Sequence, residues 1–238
     1  MLTLYYNRFS LYSRPVWLAL LEKNLSFDLV SLKLNGDQFE EEFLAINPFS
    51  RIPVLIDDDL QIVESLAILD YLEAKYPTPA LLPTQAKVLA KVRMVQSIAI
   101  NELLPAVVGL IIHLKNPSEL EYARQRAMNV LSFFEDLLED KPYFAGEQFT
   151  IAEIVAGTLV PDLPKLGISL GSYPHLDRWS QHLLSRESWQ TTQTNLEEFD
   201  NFQRHLRILV RIWQKRRRQR TAIFAQRNLQ QKSSYLTE

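Results

Sequence analysis

The 238-residue sequence contains no cysteine. That excludes disulfides, iron–sulfur clusters, thiolate zinc sites and a cysteine nucleophile. Glycine is scarce, with six residues, against about 7% in average proteins, which argues against a glycine-rich all-β or loop-dominated chain. No apolar run reaches the roughly 18–20 residues needed to cross a bilayer. The most apolar stretch, Leu103 to Leu114, is interrupted by Pro105 and His113. The start, MLTLYYNRFSLYSR, lacks a basic segment followed by an apolar one, so export is not expected and the cytoplasm is the expected location. The four histidines at 113, 175, 182 and 205 show no metal-ligand spacing, and no phosphate-binding glycine loop occurs.

What is present is an ordinary globular composition, 47% apolar and 23% charged. The net charge of −2 hides an asymmetry. Residues 1–200 carry 16 basic and 27 acidic side chains, a net of −11, whereas residues 201–238 carry 10 basic and one acidic, a net of +9.

The first third alternates strand and helix signals. LTLYY (2–6) reads as a buried strand and Pro15 to Lys23 as a helix. FDLVSLKL (27–34) reads as a second strand, and Glu40 to Ile46 as a short helix ended by Asn47-Pro48. PVLI (53–56) and QIVE (61–64) flank three aspartates as a hairpin, and Ser65 caps a helix to about Lys75. YPTPALLP (76–83) holds three prolines and reads as a linker. Beyond it the pattern is helical over 85–115, 118–140, 150–161 and 174–186, and Thr150-x-x-Glu153 is a capping box flanked by a Phe149–Ile154 staple. The expected architecture is an α/β module over 1–77, a linker over 78–84, an all-α module over 85–198 and a basic extension over 199–238.

Three segments carry potential chemistry. The turn Phe9 to Arg14 feeds a helix N-terminus, whose free N–H groups and dipole favour an anion. A serine hydroxyl there can hydrogen-bond a bound thiolate and lower a ligand thiol's pKa. Taken alone, Ser10 or Ser13 reads first as a helix cap. Pro53 begins a strand after a loop, where a cis bond would turn the Ile52 backbone toward an extended peptide, unless it is an ordinary edge proline. Glu64-Ser65 opens another helix, where a carboxylate, a hydroxyl and free N–H groups suit an amino-acid head, or merely cap the helix.

Together these residues resemble the glutathione transferases. The resemblance rests on SLYSRPVWLALLEK (10–23), FLAINPFSRIPVL (43–55), VESLAILDYLEAKYP (63–77), FAGEQFTIAEI (144–154) and YPHLDRW (173–179), and covers about residues 1–195. It implies a thioredoxin-like N-terminal domain, a helical C-terminal domain and usually a homodimer. It implies that Ser10 stabilises the glutathione thiolate, as in the delta- and theta-like classes, with Ser13 and Tyr12 as alternatives and Tyr5 a weaker one. Ile52 and Pro53 would bind the cysteinyl backbone, Glu64 and Ser65 the γ-glutamyl group, and Gln38 and Arg51 the glycyl carboxylate. Ser50 stands where some members have histidine. Phe9, Tyr12, Glu102, Pro105, Val108 and Ile112 would line the pocket of a small hydrophobic electrophile. Glutathione is then a co-substrate and no further cofactor is implied. The double-serine-and-cysteine pattern of the isomerase branch is missing, which argues against maleylacetoacetate isomerisation. Absence of cysteine also removes the family's disulfide-exchange branches.

In the basic extension, Arg204, Arg207, Arg211, Lys215 and Arg218 fall on one helical arc, with Phe202, Leu206, Leu209 and Trp213 opposite. This amphipathic segment is expected to pack on the helical module, with docking to anionic membrane or another polyanion as alternatives. The competing functional reading is a non-catalytic binding or scaffold protein whose tail docks to a partner.

Overall fold

The computed structural model describes residues 1–33, 36–208 and 210. Strands β1 (Leu2–Tyr6), β2 (Phe27–Ser31), β3 (Val54–Asp57) and β4 (Leu60–Val63) form one mixed sheet in the order β2-β1-β3-β4. Helix α1 (Ser13–Glu22) joins the parallel pair β1 and β2, while β3 runs antiparallel to both β1 and β4. Helix α2 (Glu41–Ile46) lies between β2 and β3 in the chain, and α3 (Ser65–Lys75) follows β4. The α/β unit expected from the sequence is therefore the one observed. Strand β2 stops at Ser31 rather than continuing to 34: the Lys33 N–H leaves the ladder and donates to Asp37 Oδ2 at 3.0 Å.

Every remaining element among the described residues is helical. Helices α4 (Ala86–Ile98) and α5 (Leu104–Ile112) are joined by a π turn at Ala99–Leu103. The sequence reads as helical over 85–115, and the π turn within that span has a local cause. Pro105 has no N–H to give the Asn101 carbonyl one turn earlier, so the regular ladder is broken there. Arg126 Nη2 donates to that carbonyl instead, at 2.6 Å. Contrary to the sequence expectation, the helical run Ala86–Ile112 is long and apolar enough, by length and composition, to cross a membrane. Here it is a core element, packed on α6 (Pro117–Leu138) and α7 (Ile151–Ala156).

The expected helix 150–161 ends early, at Ala156, and Pro161 and Pro164 turn the following segment into a 3-10 helix, Val160–Leu166. Helices α8 (Pro174–Leu184), α9 (Glu187–Thr192) and α10 (residues 196–208) complete the described chain. The Thr150–Glu153 capping box forms as expected. Glu153 Oε2 accepts from Thr150 N at 2.8 Å, and Thr150 Oγ1 accepts from Ala152 N at 3.2 Å. The capping role expected of Ser65 falls instead to the backbone of Glu64, whose φ of 69° swings the chain from β4 straight into α3. Its carbonyl then accepts from Ile68 N at 3.0 Å.

One apolar core crosses both halves. Leu4, Leu18, Leu20 and Leu72 of the α/β unit are continuous with Val95, Leu103, Phe134 and Trp189 of the helical region. The linker is pinned to this core by Lys23. Its ammonium, wholly out of solvent, donates to the carbonyls of Tyr76 and Pro79 at 2.7 and 2.8 Å and pairs with Glu73 at 2.6 Å. Burial of that charge is tolerable because all three of its protons have acceptors.

Candidate functional site

Strand register decides what meets at the site. Tyr6 at the end of β1 faces Ser31, Tyr5 faces Val54, and Val54 faces Val63. The turn after β1, the segment after β2, the approach to β3 and the exit from β4 therefore gather at one end of the sheet. Ser10, Tyr12, Ser13, Ile52, Pro53, Glu64 and Ser65, from three separate stretches of sequence, belong to these segments.

The turn after β1 is built by Asn7. Its Oδ1 accepts from Phe9 N at 3.0 Å, its carbonyl accepts from Ser10 N at 2.9 Å, and its Nδ2 donates to Leu32 O at 2.6 Å. The loop before β3 repeats the device. Asn47 Oδ1 accepts from Phe49 N at 3.0 Å, its carbonyl from Ser50 N at 3.0 Å, and its Nδ2 donates to Arg51 O at 2.7 Å. Both loops carry the tetrapeptide Asn-x-Phe-Ser. That repeat is the sequence signal for the turn role of Asn7 and Asn47: asparagine closes a turn on its own backbone and spends its amide donor elsewhere.

Ser10 opens the path into α1. Its Oγ accepts from Ser13 N at 3.2 Å and its carbonyl accepts from Arg14 N at 3.0 Å, while the residue stays partly exposed. Ser13 is completely buried, and its Oγ has no hydrogen-bond partner among the described residues. Tyr12 is substantially exposed, and its phenol is raised above its ordinary range by partial burial, with Arg51 pulling it down and Glu64 pushing it up. Those two charges act on Tyr12 because the three segments converge. Tyr5 packs its ring against Phe43, 6.1 Å between centroids.

The Ile52–Pro53 bond is cis. Ile52 is at the edge of burial, Arg51 is exposed, and Glu64 is exposed in its left-handed conformation beside buried Ser65. Gln38 sits in a 3-10 turn, Asp37–Phe39, almost fully buried, with Oε1 unpartnered among the described residues.

Of the residues expected to line the electrophile pocket, Phe9 lies partly exposed in the turn beside Ser10, and Val108 and Ile112 lie half-buried on α5 against the common core. Glu102 points instead to α6, where its carboxylate accepts from Arg126 Nε at 2.8 Å, and Pro105 is exposed. Two open cavities, about 440 and 390 Å³, share no residue with this end of the sheet: one is lined by Gly167 and Asp177, the other by Glu22 and Arg186.

Residues 4–80 match the model of the glutathione S-transferase N-terminal domain and residues 94–187 that of the C-terminal domain. The chain is 30% identical over 188 residues to glutathione S-transferase 3 of Zea mays, covering 72% of this chain and 83% of that protein. It is 27% identical over 183 residues to the maleylacetoacetate isomerase of Mus musculus, covering 74% of this chain and 85% of the other. Among solved structures, a glutathione transferase homolog from Sulfitobacter, with bound glutathione, superposes with a TM-score of 0.71 at 26% identity, covering 80% of this chain and 96% of that one.

Proposed function

The chain belongs to the glutathione S-transferase family, and from that premise we propose that it binds glutathione at the end of the sheet and activates its thiol toward a small apolar electrophile. The observation that carries the reading is the Ser10 turn: a partly exposed hydroxyl at the N-terminal turn of α1, where the helix dipole favours an anion. Ser10 is preferred to Ser13 because Ser13 is buried. The cradle would be Ile52 and Pro53 for the cysteinyl main chain, Glu64 and Ser65 for the γ-glutamyl head, and Gln38 and Arg51 for the glycyl carboxylate. The thiol proton leaves to solvent, the sulfur lone pair forms a carbon–sulfur bond with the electrophile, and the leaving group departs with its bonding pair. The protein contributes orientation and stabilisation of charge on sulfur.

A second reading within the same chemistry is isomerisation, favoured by the likeness to proteins named maleylacetoacetate isomerase. There the thiolate adds reversibly to a conjugated double bond and leaves after rotation. The homodimer belongs to the same proposal, supported by the exposed Phe49, Met94, Met128 and Phe133; sedimentation at micromolar concentration tests it.

Ser10→Ala is the direct test. Loss of one donor to the developing anion should lower kcat/KM with an aryl halide by about 10²–10³-fold, with glutathione affinity little changed. Wild-type turnover in this variant would move the role to Ser13 or Tyr12. Retention on immobilised glutathione without turnover of any electrophile would favour the binding-protein reading.

A further inference from the structure

The match to the family's C-terminal domain ends at residue 187, and helix α10 lies beyond it. Its start is fixed by a second capping box. Asn195 Oδ1 accepts from Glu198 N at 2.8 Å, and Glu198 Oε2 accepts from Asn195 N at 2.9 Å. Phe199, Phe202 and Leu206 then turn inward. Phe199 is buried, Phe202 and Leu206 pack on the common core, and the Phe202 ring stacks on Phe9 with centroids 5.9 Å apart. Arg207 Nη1 lies 3.4 Å from Ile111 O, which brings the end of α10 to the end of α5.

At that corner apolar side chains face outward. Among the described residues Ile208 is 54% exposed, and Leu114, just past α5, is 55% exposed. Arg204, His205 and Lys115 are exposed there too. From Ile208 the sequence reads Ile-Leu-Val-Arg-Ile-Trp, five apolar residues in six, and Lys215 to Arg220 then holds five basic residues in six. Ile223 and Phe224 follow, and residues 201–237 carry no acid.

We propose that this protein docks on an anionic lipid bilayer through residues 208–224, with α10 and the end of α5 toward the lipid. The recognition has two halves. Guanidinium groups pair with phosphate-diester oxygens, and each basic residue near an anionic surface strengthens attachment by about fivefold. Aliphatic and indole side chains enter the boundary between headgroups and acyl chains. Nucleic acids also carry phosphate diesters, but their backbone offers nothing to a run of aliphatic side chains, so the apolar half selects lipid. Electrostatics set the orientation. Screening confines the attraction to about 8–10 Å, so a charged surface acts on whichever end is near it. Residues 201–238, at +9, are drawn in, and residues 1–200, at −11, are held off. None of the docking residues belongs to the glutathione cradle, so this inference stands apart from the transferase reading.

The test uses the full chain and reads Trp213. The other three tryptophans, Trp17, Trp179 and Trp189, are buried in the core, so a quencher in the acyl chains reports on Trp213. Vesicles are made of phosphatidylcholine, part of it brominated along the acyl chain, with or without phosphatidylglycerol. The protein should float with the phosphatidylglycerol vesicles and not with phosphatidylcholine alone, and its emission should be quenched on binding. Trp213→Tyr should remove the quenching while flotation persists. Arg216→Gln with Arg217→Gln and Arg218→Gln should weaken binding by about 100-fold. Raising sodium chloride from about 0.05 to about 0.5 M should release the wild type. Ile208→Ser with Leu114→Ser should weaken binding by about tenfold. Thermal midpoints equal to wild type separate each loss of binding from a loss of fold.

Flotation that ignores phosphatidylglycerol, no flotation with either vesicle, or flotation without quenching overturns the proposal. So does unchanged affinity in the arginine triple variant or in the Ile208 and Leu114 double variant. Tighter binding to a duplex DNA oligonucleotide than to vesicles at equal phosphate concentration, followed by anisotropy, assigns the segment to nucleic acid and overturns it as well.

Discussion

The Arg14 guanidinium lies 2.9 Å from the Asp162 carboxylate, with the two side chains only 7% and 14% exposed. This pair ties the first turn of α1, next to the candidate catalytic serine, to the 3-10 segment of the helical region. The Arg14 Nε is unpartnered among the described residues, so Asp162 is what compensates this buried charge. Arg14→Ala should therefore destabilise the protein by about 1–3 kcal/mol, since the largely buried carboxylate loses one hydrogen bond and keeps Lys165. Arg14→Ala with Asp162→Ala should recover part of that loss. Urea denaturation of the two single variants and the double variant measures the coupling, and strict additivity would show that the pair is not coupled.

Glu153 gives the protein a pH dependence of definite sign. Full burial pushes its carboxyl up to about 7, against the opposing hydrogen bonds from Thr150 and Phe144. The folded state then holds a proton that the unfolded state has released, so the stability from this group is complete at low pH and is lost as pH rises from about 4.5 to about 7. The loss is about 3 kcal/mol. Unfolding free energies at pH 5 and pH 8 should show Glu153→Gln gaining on the wild type by that amount. A constant gap across the range would mean the carboxyl is ionised throughout.

Asp57 acts with the opposite sign. Its Oδ2 accepts from Lys75 Nζ at 2.6 Å, Tyr71 OH at 2.8 Å and Tyr76 OH at 3.3 Å. The bond from Lys75 leads in holding the carboxyl below its ordinary value, with burial opposing. Its stability is present above the ordinary carboxylate range and is lost as pH falls through the lowered folded value. Asp57→Asn should therefore flatten the acid limb of the stability curve below about pH 4, measured by acid unfolding followed by circular dichroism.

Gly157 is a packing constraint. A Cβ there would overlap the Glu153 carbonyl oxygen and lie 2.6 Å from Leu183 Cδ1 and 3.0 Å from Trp189 Cζ2. The Gly157 carbonyl also accepts from Trp189 Nε1 at 3.2 Å. Backbone and a buried indole cannot both move aside, so Gly157→Ala should cost about 1–3 kcal/mol. A thermal midpoint equal to wild type would show that α7 and α9 can separate freely.

The folding code was legible wherever it was local. The short apolar and aromatic run LTLYY, the Thr150–Glu153 box and the proline linker depend on neighbours within a few residues, so they could be placed from local sequence alone. The candidate glutathione residues were legible as types at helix starts and strand ends, and the register then brought their segments to one end of the sheet. Less legible was the π turn. Pro105 signals a break, but the Arg126 partner that lets the run continue lies a helix away. The amphipathic reading of the extension holds for Phe202 and Leu206, whereas Leu209, Trp213 and the arginines beyond lie outside the described residues.

By itself, then, the sequence determined the order of strands and helices in the first third, the Thr150–Glu153 cap, the absence of thiol chemistry and the short list of polar groups able to face an anion. These follow from backbone geometry and side-chain type, which act over one or two turns. Only the tertiary structure decided that Arg14 pairs with Asp162, that buried Lys23 clasps the linker, and that Phe202 covers Phe9. Arg14 and Asp162 are 148 residues apart, and such partners are chosen by which surfaces a single shared core brings together.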